Sequence, residues 1–379
     1  MSTPVAAVVG QLARDLVLSV DAVPAVGTAG DAGARREQLG GKGANQAVAL
    51  AQLGVRPRLV AVAGDDVIGD VLLAQARQDG VDVSAVVRRR DTLTGLIVEL
   101  LEPAGTWRYV QHLPSAVLLT EADVLAVKDV LASADAVLVQ LQQPAAAALA
   151  AARIGHDAGR LVVLDGMPDE CRDELLAVAD VLRADDQEAE LLLGGPPTVE
   201  SARTLLAKGP RLVALGTGDG NLFVWRNADQ AQRGLAAEHA SDGQELLPLP
   251  AEHASDGQEL LPLTAEHASD GQELLPLTAE HASGGQVWLP LSDEPVVDTT
   301  GGGDAFTAAL TMALLRGDDC RTAAQWAVAA AGATVGHPSG RPNLRMDDVH
   351  KRVQELEQAG PAQDGSVVDR QRARGTAGE

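Results

Sequence analysis

A chain of 379 residues, 46% of them apolar, can bury a core large enough for one large α/β domain or two smaller ones. Its formal net charge of −23 argues against nucleic acid or an anionic membrane as partner, although glycine loops and a cation can still hold the phosphates of a nucleotide locally. Two distant cysteines, Cys171 and Cys320, make neither a disulfide framework nor a metal cluster, and the apolar residues 5–9 are too few for a signal peptide or a membrane span, which leaves the cytoplasm as the default location.

Aromatic residues are only 2% of the chain, so Ala, Leu and Val must fill the core. Residues 5–10 form a short apolar run ending at a glycine and read as a buried first strand. Leu12, Leu16 and Leu18 continue an extended pattern that Asp15 interrupts. An Asp near the C-terminal end of a central strand can meet a ligand, or can simply cap a turn. Residues 21–39 mix prolines and glycines, which fits a loop and short strands outside the main sheet. Gly40-Gly41-Lys42-Gly43-Ala44-Asn45-Gln46-Ala47 then runs into an apolar helix over 48–53. It lacks the Ser or Thr after the lysine that a Walker A loop requires. Its glycines let a ligand approach the backbone, and Lys42 and Asn45 can donate to hydroxyls; a glycine loop carrying a surface lysine is the bland alternative. A strand over 58–63 leads to Gly64-Asp65-Asp66-Val67-Ile68-Gly69, where Asp66 reads as the cap of a helix over 70–78. Another strand is expected over 81–87, and residues 92–101 and 106–110 read as a hairpin-like pair around Pro103-Ala104-Gly105.

From residue 136 the pattern alternates strand (136–140), helix (144–155), strand (161–164) and helix (170–178), which implies a mostly parallel sheet covered on both faces. Asp185-Asp186-Gln187-Glu188 is an acidic start to a helix, favourable at any helix N-terminus and also suited to a hard cation. A strand over 211–215 precedes Gly216-Thr217-Gly218-Asp219-Gly220. Residues 237–292 hold a 14-residue repeat: AEHASDGQELLPLP at 237–250 recurs at 251–264 and 265–278 with a terminal Thr, and a degenerate copy follows at 279–292. A proline and a glycine in every copy exclude a continuous coiled coil. With ten acidic residues and no Lys or Arg, the block is expected to be solvated and partly mobile. Copying one surface position explains its four histidines more simply than a metal array does.

The stretch that organises the rest is Asp298-Thr299-Thr300-Gly301-Gly302-Gly303-Asp304-Ala305-Phe306, between an extended segment at 295–297 and an Ala-rich helix over 308–315. Three glycines where a strand turns into a helix expose several amide N–H groups, and the helix start adds its own unpaired donors, so the turn reads as an anion site. Asp304 beside it either stabilises the helix dipole or accepts a proton from a hydroxyl that attacks a phosphate. A second helix is read over 322–333, a loop over 336–341, a last helix over 349–358, and a polar, disordered tail from 360 to 379.

Residues 298–304 resemble the DTxGAGD motif of the ribokinase-like family, also called the phosphofructokinase-B family of carbohydrate kinases, with Gly302 in place of the usual alanine. Residues 40–45 resemble the GGKGAN motif of its ribokinase branch, the best pointer to a sugar as acceptor, and 64–69 and 185–188 resemble its GxDxxG and NxxE elements. The resemblance implies a three-layer α/β fold with a mostly parallel central sheet: one kinase domain over 1–355, with a small β lid from about 11–40 and 92–112. It implies transfer of the ATP γ-phosphate to a sugar hydroxymethyl group, with D-ribose leading and other sugars or nucleosides as alternatives. A catalytically weak sugar-binding regulator is the non-enzyme alternative. By the resemblance, Asp304 takes the hydroxyl proton and the amides of Gly301, Gly302 and Gly303 stabilise the phosphoryl group. Asp15, Gly41, Lys42, Asn45 and Gln142 contact the sugar. Asp185, Thr217, Gly218 and Gly220 line the nucleotide site. Asp185 and Glu188 organise Mg²⁺ through water, and Asp298 and Thr300 help hold a monovalent cation such as K⁺. Trp107 and Tyr109 belong on the lid, in a lid-to-lid homodimer contact, or in the core. Three departures bear on specificity: Ala13, Gln142 and Val328, the last expected near the start of the second Ala-rich helix, where ribokinases carry Asn, Glu and Asn.

Overall fold

Short apolar runs alternating with Ala- and Leu-rich helices assemble into three layers, helices on both faces of one eight-stranded sheet. The computed structural model describes residues 3–103, 106–226, 284–291, 298, 300–336 and 341–359. The first three repeat copies, the start and last residue of the fourth, and the tail from 360 lie outside the described residues.

The strands in chain order are β1 (Val5–Val9), β2 (Ala13–Ser19), β3 (Ala34–Gly40), β4 (Arg56–Val60), β5 (Val62–Gly64), β6 (Val87–Arg89), β7 (Gly95–Leu101), β8 (Trp107–His112), β9 (Ala136–Gln140), β10 (Leu161–Asp165), β11 (Val181–Ala184), β12 (Leu212–Gly216), β13 (Gly220–Trp225) and β14 (Gly285–Pro290). The main sheet runs β14-β13-β12-β11-β10-β9-β1-β4. Strands β4, β1, β9, β10, β11 and β12 are mutually parallel, and β13 and β14 extend them antiparallel. The helices are α1 (Lys42–Gln52), α2 (Val67–Gln78), α3 (Glu121–Ala126), α4 (Lys128–Ala132), α5 (Ala145–Asp157), α6 (Arg172–Ala177), α7 (Asp186–Leu193), α8 (Val199–Leu206), α9 (Gly302–Arg316), α10 (Cys320–Val335) and α11 (Met346–Ala359).

The period of two in a strand divides the core into two layers of side chains. Ala6, Val8, Leu138, Val163 and Ala214 pack with α1, α9, α10 and α11, whereas Ala7, Val9, Val137, Val139, Val162 and Leu164 pack with α5 to α8. Alanines on α9 and α10, among them Ala305, Ala308, Ala309, Ala323, Ala327 and Ala330, are fully or nearly fully buried, so two helices of small residues fill one layer where an aromatic-poor chain has few bulky groups to offer. Both phenylalanines are spent there, Phe223 and Phe306 stacking at 5.6 Å between ring centroids.

A second sheet, β3-β2-β7-β8, stands beside the first. Strand β2 runs parallel to β7, with β3 and β8 antiparallel on either edge. Asp15, Val17 and Glu99 share its buried face. Asp15 therefore lies near the start of a strand of this small sheet, rather than at the end of a central strand as the apolar pattern implied. The strand expected over 81–87 reduces to a single bridge, Arg58 with Asp82, followed by β6, because a turn at 84–85 interrupts the pairing although Val81, Val83 and Ala85 alternate in burial as a strand would. Val328 lies in the middle of α10 and is buried, not near the helix start. Asp66 caps α2 as expected, accepting from the Gly69 amide at 2.7 Å. Among the described residues no helix is long and apolar enough to cross a membrane.

The edge strand β14 comes from the degenerate repeat copy. Val287 and Leu289 are buried against the sheet, and the Trp288 indole covers Gly220 and donates to the Thr217 hydroxyl at 3.1 Å.

One close approach sets the position of α1. A Cβ on Gly43 would fall 2.6 Å from the carbonyl carbon of Gly10, at the end of β1. A methyl group there must push the helix off the strand. Gly43→Ala is expected to destabilise the fold by about 1–3 kcal/mol, the usual cost of overpacking. Urea unfolding of the two proteins checks it, and an unchanged midpoint would show that the helix can shift freely.

Candidate active site

The C-terminal ends of parallel strands and the N-termini of the helices that follow them are where α/β sheets present ligand-binding groups. Here the ends of β1, β9, β10 and β11 meet the starts of α1, α7 and α9. Two of these helices begin at glycines that a side chain would strain: Gly41 (φ 88°) before α1 and Gly301 (φ 77°) before α9.

Asp304 is in the first turn of α9, and 6% of its surface is exposed. Its Oδ2 accepts from Asn45 Nδ2 at 3.1 Å and its Oδ1 from Gln46 Nε2 at 3.4 Å, both from the N-terminal half of α1. Gln46 Nε2 also donates to Asp165 Oδ2 at 2.7 Å. Asp165, the last residue of β10, accepts at Oδ1 from Thr307 Oγ1 at 3.0 Å and from Arg183 Nη1 at 3.0 Å. Strand register sets Gln140, Asp165 and Arg183 side by side on β9, β10 and β11. The structure thus brings a buried polar row under α9 that sequence reasoning did not single out, although each of these residues ends, or nearly ends, an otherwise apolar strand, which is a readable signal. Gln140 is fully buried, and neither of its side-chain polar atoms has a protein partner.

The expected sugar contacts divide. Asp15 is 7% exposed, with Oδ1 buried and without a hydrogen-bond partner, and its carboxylate lies directly over Gly40, where any Cβ would collide with it. Gly41 packs against the backbone of Gln11 and Ala13. The Lys42 ammonium is 3.6 Å from Glu188 Oε1. Asn45 keeps a buried Oδ1 without a partner, so its donor side is engaged by Asp304 and its acceptor side is open to a ligand hydroxyl. Gln142 is exposed, and its backbone carbonyl, not its side chain, accepts from Gln11 at 3.4 Å. It lies two residues beyond Gln140, the last residue of β9.

Asp185 and Glu188 form a reciprocal cap on α7: Asp185 Oδ1 accepts from the Glu188 amide at 2.8 Å, and Glu188 Oε2 from the Asp185 amide at 3.0 Å. One oxygen of each carboxylate is thereby committed to the backbone; Asp185 Oδ2 and Glu188 Oε1, the latter shared with Lys42, are the oxygens that could meet an outer-sphere Mg²⁺ through water. Among the described residues no three His, Cys, Asp or Glu side chains gather as a direct metal cluster. Thr217 bonds Asp219 and the Trp288 indole, Gly218 is open to solvent, and Gly220 is covered by Trp288. Asp298 is fully buried and accepts from the Thr300 amide at 2.9 Å, while its own amide donates to the Val335 carbonyl at 3.2 Å. Gly302 packs on Val335 and Gly303 on Arg183.

The small sheet reaches this turn through Thr300. The hydroxyls of Tyr109 and Thr300 are 2.8 Å apart, and Thr300 Oγ1 donates to Glu99 Oε1 at 3.3 Å. Trp107 stacks on Tyr109 with ring centroids 4.2 Å apart. Glu99, unremarked in the sequence because it sits in an apolar strand run, is a buried carboxylate on the same face as Asp15.

Burial raises Glu188 against the pull of Lys42, and burial with mutual repulsion raises three more of these acids. Desolvation, followed by the charges of Glu99 and Asp304, lifts Asp15 to about 8. Desolvation and Asp298 lift Glu99 to about 7. Desolvation and Asp165 lift Asp304 to about 7, against the opposing pull of Lys42, Asn45 and Arg183. Burial pulls the Lys42 ammonium down, but Asp165, Glu188 and Asp304 outweigh it and the group is raised.

Each of the three acids holds its proton in the folded protein at a pH where the unfolded chain has released it, so their contribution to stability is full below about pH 4 and is lost as pH rises through about 7 to 8. The ligand-free protein should therefore lose Tm between about pH 4 and 8, and Asp15→Asn should make that loss shallower. Calorimetry across that range checks it. An identical pH dependence in the two proteins would contradict the burial of an uncompensated charge at Asp15.

The sequence matches the pfkB family carbohydrate kinase model over residues 5–230 and 279–346. It is 29% identical to ribokinase of Staphylococcus aureus (strain COL) over 198 residues, half of this chain and 65% of that one, and 31% identical to ribokinase of Haemophilus influenzae over 193 residues, 49% of this chain and 63% of that one. Both alignments thus cover less than two thirds of those relatives. In fold it resembles the crystal structure of ribokinase from Thermotoga maritima, with a TM-score of 0.66 and 22% identity over 93% of this chain and 100% of that one. The family match covers most of the chain and includes both the 40–46 and 301–304 segments that build the cluster around Asp304: the protein belongs to the pfkB family of carbohydrate kinases.

Proposed function

We propose that the protein is an ATP-dependent sugar kinase that transfers the γ-phosphate to a sugar hydroxymethyl group, with D-ribose as the leading acceptor. The observation that carries this reading is Asp304: a buried carboxylate with a proton affinity near 7, in the first turn of a helix that opens with three glycines. A general base works best when its pKa lies near the working pH. The glycine turn offers backbone donors for the charge that develops on the transferring group.

In this reading the sugar hydroxymethyl oxygen attacks the γ-phosphorus as its proton passes to Asp304, and the bond from that phosphorus to the bridging oxygen breaks, releasing ADP. Asn45 holds Asp304 in orientation through Oδ2 and turns its unpaired Oδ1 toward a sugar hydroxyl. Asp15, with its orphaned buried oxygen, accepts from another hydroxyl. Mg²⁺, held through water by Asp185 and Glu188, would neutralise phosphate charge. A monovalent cation beside Asp298 and Thr300 would support the turn from behind. The small sheet, docked on Thr300 through Tyr109 and Glu99, excludes water from the site when a sugar is bound.

Two outcomes test the reading. Asp304→Ala should lower kcat by about 10² to 10⁴ while leaving the unfolding transition cooperative, and wild-type kcat/KM should fall as pH drops below about 7, where Asp304 takes up its proton. Wild-type-like turnover in the variant would remove Asp304 from the mechanism. The second concerns the acceptor. In a panel of pentoses, hexoses and nucleosides with ATP, D-ribose should give the highest kcat/KM, at about 10⁴ M⁻¹s⁻¹ or more. A specific observation favours a second reading, a different sugar: Ala13 is fully buried and offers no side-chain hydrogen bond, and Gln142 is exposed. A ribose hydroxyl left unpaired there costs about 1–3 kcal/mol, and a better rate with another sugar would select that reading.

A further inference from the structure

We propose that Arg183 binds the transferring phosphoryl group, its guanidinium clamped by Asp165 on one side and presented to the glycine turn on the other. The inference rests on the kinase reading above and adds a catalytic side chain to it. Arg183 is the third residue of β11, at the C-terminal edge of the sheet, and its side chain is 12% exposed. Nη1 is held by Asp165 Oδ1 at 3.0 Å, and Asp165 is itself fixed by Gln46 and Thr307. The other amine, Nη2, lies over Gly303: a Cβ built there would be 2.8 Å from Nη2 and 3.2 Å from Nη1. The guanidinium carbon lies over the Phe306 ring, 5.6 Å from its centroid. The absence of a side chain at Gly303 thus does two things: it bares the backbone and leaves room for a cation beside it.

A structural ion pair would account for the contact with Asp165 but not for the second amine at the turn. Gln46 and Thr307 also donate to Asp165, so Arg183 is needed there for its charge rather than for its hydrogen bond, and one amine is enough to supply that charge. The reach of the charge is also informative. Arg183 lowers the proton affinity of both Asp304 and Lys42, so its field acts on the groups assigned to the reaction. During transfer, negative charge spreads over the equatorial oxygens of the γ-phosphoryl group while the old bond to the ADP oxygen breaks and the new bond to the sugar oxygen forms. A planar guanidinium fixed at one amine can meet those oxygens with the other at little cost in reorganisation.

The test is Arg183→Gln alone and combined with Asp165→Asn, the double variant removing both charges of the pair. Folding is followed by circular dichroism and Tm, and steady-state kinetics by ADP release with the best acceptor from the panel. Arg183→Gln should lower kcat by about 10² to 10³ with the sugar KM within about twofold. The double variant should recover Tm and leave kcat low. Aluminium fluoride should add to the thermal stabilisation that MgADP and sugar give the wild type, and should add nothing in either variant. Arg183→Lys, which keeps the charge but not the fork, should recover part of the rate. If the double variant regains wild-type kcat, or if a folded Arg183→Gln protein turns over within about threefold of wild type, Arg183 is only a partner for Asp165 and the inference fails. Should Arg183→Gln not fold, the double variant and Arg183→Lys separate the two roles in its place. A wild-type protein that phosphorylates nothing in the panel overturns the kinase reading and this inference with it, and a working kinase indifferent to Arg183 overturns the inference alone.

Discussion

The hydrogen bond from Asn45 to Asp304 joins residues 259 apart in the chain and fixes where two helix N-termini meet. Everything at the site is positioned from it. Helix α1 brings Lys42, Asn45 and Gln46, and helix α9 brings the glycine turn and Asp304. The two can approach only because the backbone contacts beside them are made by glycine. Gly43 lies against Gly10, Gly40 lies under the Asp15 carboxylate, and Gly303 lies beside Arg183. The alanine packing of α9 on α10 then holds the turn from the other side.

The second constraint is charge. Asp15, Glu99, Asp165, Asp298 and Asp304 are all buried near one another, and the cations that face them are few: Lys42, Arg183, Arg36 and Arg341. Such a cluster is unfavourable in the empty protein, and the raised proton affinities express that cost. It becomes favourable when hydroxyl donors and cations enter together. Ligand binding and protonation are therefore coupled at this site: a ligand that donates to Asp15 or Glu99 also stabilises the charged form of the acid it meets.

Much of this was legible in the sequence. The strand–helix alternation from residue 136 onward fell within a few residues of β9, α5, β10, α6 and β12, because buried parallel strands are continuous apolar runs that little else imitates. The glycine turns were legible because glycine three times in a row at a strand–helix junction has few other uses. What did not show was partnership across distance. Asp165 and Arg183 lie at the ends of two separate apolar strands, and only the parallel register reveals that they stand side by side. Glu99 looked like one polar residue in a lipophilic run, and its burial depends on which face of the small sheet turns inward. The strand expected over 81–87 shortens for the converse reason: local alternation is present, but a turn at 84–85 breaks the pairing between Asp82 and Val87.

The edge strand β14 shows how this chain tolerates its own duplications. It uses Gly285-Gln286-Val287-Trp288-Leu289-Pro290, and Val287 sits against the core where the three earlier copies have Glu245, Glu259 and Glu273. A glutamate in that slot would bury an unpaired carboxylate, and a leucine in place of Trp288 would leave Gly220 uncovered and the Thr217 hydroxyl without its indole donor. One copy out of four is thus marked for the sheet by two side chains, and the near-identical copies are poor competitors for the same register. Side-chain identity at 287 and 288, rather than position along the repeat, thus singles out the copy that forms β14.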